Sequence, residues 1–296
     1  MATPAKPNED HWSSEAYQNS ASFVPKLATK VLGWLDVQPD DVILDIGCGD
    51  GILNLQIAQT VSRGNGRIHG IDSSSSMIAA AQALVAKTGD AKIAEICTFQ
   101  VLDAAKLDTL PKGAYNKIFS NAAMHPQLTQ QKWILRPPSL RIPFFNNIST
   151  LLSPGGTFVF EMGGHNNISS VHSALLSVVS RHMPGGVTAA RALDPWFFPS
   201  EQWMQRTLSQ VPGLEVEKLE TEYRPTKADA GGIEGWVRLM GKKFLDGVGE
   251  EGSKEREQVV REVVEVLGTI CGEEGGGVEG EWLGYVRLRG VVKKSG

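Results

Sequence analysis

The stretch VILDIGCGDGILNL, Val42 to Leu55, restricts the fold of this chain more than any other segment. An apolar run broken by Asp45 ends in glycines at three alternate positions, Gly47, Gly49 and Gly51, and apolar residues then recur at helical spacing from Ile52. That order predicts a buried strand, a tight turn and a helix N-terminus. In open α/β sheets such a turn lies at the carboxyl end of a strand, where ligands bind. Bulky side chains at the glycines would fill the ligand's space, and one or more of them is expected to need positive φ.

The alternation continues downstream. DVILDIG, GRIHGID, CTFQVLD, YNKIFSNAA and GGTFVFEMG read as strands, the last after the turn SPGG. ILNLQIAQTV and SSSSMIAAAQALVAK read as helices, the second with serines at its cap. Further on, LEVEKLETEYRPT alternates like a strand and EWLGYVRLRGVVKK reads as a closing one. Between them KEREQVVREVVEVLGTIC places Val260, Val263, Val264 and Leu267 on one helical face. The expected class is α/β: a mostly parallel seven-stranded sheet with helices on both faces. Residues 1–12 read as a flexible polar tail, Ser13 to Leu35 as one or two helices, and CGEEGGGVEGE as a surface loop.

Composition excludes several classes. With 29 basic and 33 acidic side chains in 296 residues the formal charge is −4, so no overall basic field exists to hold a nucleic-acid backbone. Cys48, Cys97 and Cys271 are far apart and form no metal-ligand or disulfide pattern, so no metal is expected. No apolar run approaches the roughly 18 residues that a membrane span needs, and the first residues hold no apolar signal core. A cytoplasmic location with no membrane partner is the expectation.

Dinucleotide-binding folds favour G-x-G-x-x-G, whose third glycine lets helix and strand pack closely. Here Ile52 stands at that third position and the spacing is G-x-G-x-G. Preceded by LD, it resembles motif I of class I S-adenosylmethionine-dependent methyltransferases. FSNAAMH, LLSPGGTFVFEMGG, PWFFPS, RPT, GIEGWVRL and EWLGYVRLR, in that order, resemble the small-molecule branch of that family, close to the methyltransferase-11 and trans-aconitate 2-methyltransferase-like group. The resemblance covers nearly the whole chain. It implies a Rossmann-like sheet, S-adenosylmethionine as cofactor and a small-molecule acceptor. It also implies one methyltransferase domain over 13–296, with an N-terminal helical lid and substrate-side insertions around 126–145 and 181–205.

The resemblance further assigns roles. Gly47, Cys48, Gly49 and Gly51 would pass under the methionine part of the cofactor, with Asp45 orienting the turn. Asp72 and Ser73 would meet the ribose, Asp103 and Ala104 the adenine, and Asn121 the methionine end or a substrate. An NAD-dependent oxidoreductase would use Asp72 in the same way, and a non-catalytic binding protein would keep the same fold. Both stand as alternatives.

Methyl transfer from a sulfonium is an in-line displacement, and a base is needed only where the acceptor carries a proton. His125, just beyond strand 4, is the candidate base or acceptor-orienting group; its other reading is a ring packed under the cofactor. Trp12 and Tyr17, with His11, stand where relatives fold an N-terminal segment over the cofactor. Trp196, with Phe197, Phe198 and Trp203, either lines an apolar acceptor pocket or forms core, and Glu161 and His165 are rim candidates. PQLTQQK, Pro126 to Lys132, separates His125 from Trp133 where relatives have no such insertion.

Overall fold

The computed structural model describes residues 28–124, 135–272 and 280–296. His11, Trp12, Tyr17, His125 and the segment Pro126 to Lys132 lie outside them. The chain opens with α1 (Thr29–Leu35) and then alternates: β1 (Val42–Ile46), α2 (Ile52–Val61), β2 (Arg67–Asp72), α3 (Ser75–Lys87), α4 (Ala91–Ile96) and β3 (Cys97–Val101). A 3-10 stretch, Ala104–Thr109, leads to β4 (Tyr115–Asn121), α5 (Pro138–Leu151) and β5 (Leu152–Gly163). The second half holds α6 (Ser169–Arg181), α7 (Gly186–Leu193), α8 (Glu201–Leu208), β6 (Leu214–Lys227), α9 (Gly232–Met240), α10 (Lys242–Asp246), α11 (Lys254–Cys271) and β7 (Trp282–Lys294).

The seven strands form one sheet in the order β3-β2-β1-β4-β5-β7-β6. Parallel pairs join β1 to β5, and β7 runs antiparallel between β5 and β6. The expected mostly parallel sheet is present, with one reversed strand. Burial follows the strand alternation. Leu44, Ile71, Ile118, Phe158 and Phe160 face one core with α5 and α8, while Ile43, Ile68, Phe119 and Val159 face another with α1, α2 and α3. A third core, built from α6, α7, α9, α10 and α11, closes on Leu283 and Tyr285 at the start of β7.

Local chemistry sets the helix starts. Ser74 Oγ accepts from Met77 N at 3.2 Å and begins α3, and Ser253 begins α11 in the same manner. In α11 the buried stripe is Val259, Val260, Val263 and Leu267, while Val264 is only partly buried. Strand β5 differs from expectation by starting before SPGG. Tyr115 pairs with Leu152 and Lys117 already with Thr157, so the turn survives as a bulge around Gly155, whose φ is +74°.

Phe160, Gly290 and Leu219 stand opposite one another on β5, β7 and β6. A Cβ at Gly290 would lie 2.5 Å from the Phe160 ring and 2.9 Å from a Leu219 methyl. Gly290→Ala is therefore expected to destabilise the fold by about 1–3 kcal/mol through overpacking, read as a lower urea midpoint at unchanged slope.

Candidate cofactor and acceptor site

The site forms at the carboxyl ends of β1, β2, β4 and β5. After β1 the chain turns on Gly47 (φ +76°), Gly49 (+56°) and Gly51 (+79°), all in the left-handed region that side chains disfavour. Gly47 N and Cys48 N donate to Ile71 O at 2.7 and 3.0 Å, which hangs the turn on β2. A Cβ on Gly49 would meet nothing within 4 Å, so this glycine faces open space. One on Gly51 would lie 2.9 Å from Ala81 Cβ on α3.

Asp72, at the end of β2, is buried. Its Oδ2 accepts from Gly49 N at 3.1 Å and its Oδ1 from Ser74 N at 2.9 Å. A carboxylate oxygen has more than one lone-pair direction, the chemistry by which such an acid accepts ribose hydroxyls beside backbone amides. Asp45 is buried beneath the turn. Burial pushes its carboxyl up to about 7, with the Asn54 amide opposing and the Asp72 charge adding to the rise. Asn54 is fully buried, and neither of its amide atoms has a hydrogen-bond partner of good geometry among the described residues, although it lies close enough to Asp45 to favour the charged form. Burial, helped by the Asp45 and Asp72 charges, holds the Cys48 thiol well above its ordinary range, so Cys48 packs as a small apolar group.

Asp103 is exposed after β3 and its Oδ1 accepts from Ala105 N at 2.8 Å, capping the 3-10 stretch in which Ala104 is half-buried. Ser73, directly after Asp72, is also half-buried. Asn121 ends β4, and its buried Oδ1 has no partner among the described residues. Directly after it Ala122 takes φ +58° and donates its N–H to Glu161 O at 2.8 Å.

Glu161 pairs with Asn121 across β4 and β5 and is buried. Arg289 Nε donates to Glu161 Oε2 at 2.5 Å, Arg224 donates to Oε1 at 3.1 Å, and Arg287 Nε stands 3.6 Å from Oε1. Arg289 also binds Glu220 and Glu222, which hold Lys30 of α1. Sequence reasoning missed these arginines; the alternation in YVRLRG, which puts Arg287 and Arg289 on one face, was the available signal. It missed Asn54 as well.

The aromatic segment does not form one wall. Trp196 is buried among His172, Phe198, Trp236 and Phe244, with ring centroids 5.1, 6.2, 6.0 and 5.5 Å away. Phe197 points into a different core, edge-on to Trp203 at 4.9 Å and under Arg141. The segment is extended, so successive rings leave on opposite sides. His165 is exposed beyond β5.

Comparison with known proteins agrees with this geometry. A family described as a methyltransferase domain matches residues 38–192. An uncharacterized methyltransferase of Schizosaccharomyces pombe is 32% identical over 97% of this chain and 99% of its own. A trans-aconitate 2-methyltransferase of Pseudomonas paraeruginosa is 32% identical, but over only 24% of this chain and 25% of its own. Among solved structures, a phosphoethanolamine N-methyltransferase 2 of Haemonchus contortus, in complex with phosphomonomethylethanolamine and S-adenosylhomocysteine, shares the fold at TM-score 0.53 and 17% identity. That match covers 95% of this chain and 57% of the other.

The chain belongs to the methyltransferase domain family, as a class I S-adenosylmethionine-dependent methyltransferase. Its cofactor is S-adenosylmethionine. The residues present fit that group: an open face at Gly49, an acceptor carboxylate at Asp72 and a buried Asn121 Oδ1 with no partner among the described residues. Membership removes the oxidoreductase alternative. No described helix is long and apolar enough to cross a membrane, and no metal-ligating cluster is present among the described residues.

Two predictions come from these acids. Asp72→Ala removes the anchor of two loop amides and the carboxylate expected to accept from the ribose, each such bond worth on the order of 1.5–3 kcal/mol before water compensates. Calorimetry should show at least about tenfold weaker binding of S-adenosylhomocysteine.

Asp45 keeps its proton to a higher pH in the fold, about 7, than its ordinary value of 3.8. Its contribution to stability is therefore full in acid, falls as pH rises between those values and is flat above. Asp45→Asn escapes this loss. In urea titrations its stability relative to the unsubstituted protein is expected to improve by on the order of 2 kcal/mol from pH 5 to pH 8.

Proposed function

We propose that this methyltransferase acts on a small organic carboxylic acid and forms its methyl ester. The observation that carries the reading is the surroundings of Glu161, the acid beside Asn121 at the acceptor side: three arginines surround its carboxylate, so its oxygens are committed to ion pairs within the sheet. An ionised carboxylate is already a nucleophile and requires no base. The partial likeness to a trans-aconitate 2-methyltransferase is consistent with that class.

When bound, S-adenosylmethionine supplies an activated methyl on a sulfonium, so alignment accounts for most of what the protein must provide. In this reading the Gly47–Gly51 turn and Asp72 fix the cofactor, and Asn121 orients its methionine end or the acceptor. His125, Trp12, Tyr17 and Trp196 are proposed to shape the acceptor's surroundings. Substrate-side insertions around 126–145 and 181–205, within one domain over 13–296, are part of the same proposal.

The test is transfer of labelled methyl from S-adenosylmethionine into a metabolite extract of the source organism, with Asp72→Ala as control. The expected result is label taken up only with the unsubstituted protein and released as methanol in base. Base-stable label would overturn the carboxylate and place the methyl on oxygen, nitrogen, sulfur or carbon of another acceptor class, making His125 the next residue to replace. Cofactor binding without transfer to any extract component would favour a regulatory protein on the same fold.

A further inference from the structure

At the opposite end of the sheet from the glycine turn lies a second concavity. The connection between β3 and β4 folds as the short 3-10 stretch Ala104–Thr109, with no α-helix between those strands. His69 and Thr98 pair across those strands, as do Ile71 and Gln100; Thr98 and Gln100 are exposed and His69 is half-buried. The result is a groove of about 710 Å³ at the amino ends of β1 to β4, within the range of small-molecule sites.

We propose that this groove is a separate binding site for a small organic anion with a flat apolar body. The half-buried His69 ring supplies the flat surface, backed by the buried Tyr115: their rings lie 6.3 Å apart at 26°, and His69 Nδ1 and Tyr115 Oη are hydrogen-bonded at 2.9 Å. Burial lowers the His69 pKa, with Gln100 opposing, so the pair is neutral at physiological pH. Ile96 and Ala114 add apolar wall. The lining charges are Arg67 and Lys92 against the single carboxylate of Glu95, which favours an anionic substituent at the mouth. The strand β2 runs from Arg67 in this groove to Asp72 at the cofactor site, five residue steps or about 16 Å. A ligand here therefore touches neither cofactor nor acceptor, and the proposal does not rest on the acceptor reading.

The probe is 8-anilinonaphthalene-1-sulfonate, followed by fluorescence, with uncharged N-phenyl-1-naphthylamine as its neutral counterpart. Saturable binding of the sulfonate is expected, undisturbed by excess S-adenosylhomocysteine and much weaker for the neutral compound. Arg67→Glu with Lys92→Glu should weaken it at least about tenfold. Thr98→Trp, a filling change at an exposed strand position, should abolish it. Both variants should bind S-adenosylhomocysteine as before, which shows that they are folded. Equal affinity for the two probes, displacement by S-adenosylhomocysteine, or unaltered binding in the variants would each overturn the proposal.

Discussion

The cofactor end of the molecule depends on one carboxylate. Asp72 accepts Gly49 N with one oxygen and Ser74 N with the other, so it joins the turn before α2 to the turn before α3. The helix α2 has no side-chain cap of its own, since Gly51 occupies that position. Its start is instead set by the turn's bonds to β2 and by Asp72. Placing Asp72 there has an electrostatic consequence one strand away. Asp45, buried near the Asn54 amide, responds to burial and to that neighbouring charge by holding its proton to about pH 7. The two acids are thus unlike in role: one organises two turns through backbone amides, the other is a buried group that holds its proton.

Two strands further along the same edge, an acid is handled in the opposite way. Glu161 is buried as an anion because β7 enters antiparallel between β5 and β6 and brings Arg287 and Arg289, two residues apart, onto its face. Glu220 and Glu222 of β6 and Lys30 of α1 extend the charges outward. A buried ion cluster is weak evidence for stability, but it is strong punishment for error. A one-residue slip of β7 would turn both guanidiniums onto the face where Phe160 and Leu219 crowd Gly290. The network therefore fixes the register of the reversed strand and, through it, the position of Glu161 beside Asn121.

What the sequence disclosed follows from how local each signal is. The strands and helices that alternate from Val42 onward were legible because each apolar run is bounded by Gly, Ser or Asp, and Asp72 was legible as an acid at a strand end. The turn SPGG was legible as a turn but not as a bulge, since pairing with β4 on both sides of it is a property of the sheet. The layer of α6, α7, α9 and α10 was obscure: all but α6 are short, and they bury their apolar faces largely against one another and α11. The arginines around Glu161 and the glycine opposite Phe160 need the order β5-β7-β6, which no local pattern contains. The aromatics of 196–203 were visible as a cluster in sequence but separate in space, because an extended chain sends neighbours to opposite sides.

The spacing of the glycine turn also finds its physical reason in the packing. In G-x-G-x-x-G folds one glycine is needed for the chain to approach the sheet closely, and a bulky residue at that position would seem to forbid the arrangement. Here Ile52 occupies it and is only half-buried, while the close approach has moved one residue back. Gly51, with α3 so near that a Cβ would lie 2.9 Å from Ala81 Cβ and 3.4 Å from the Phe99 ring, is the glycine that packing requires. Gly49, with nothing within 4 Å of its missing side chain, is the one that space for a ligand requires. The two demands fall on different residues two positions apart, and that division is what lets the turn curve under a ligand without a glycine at position 52.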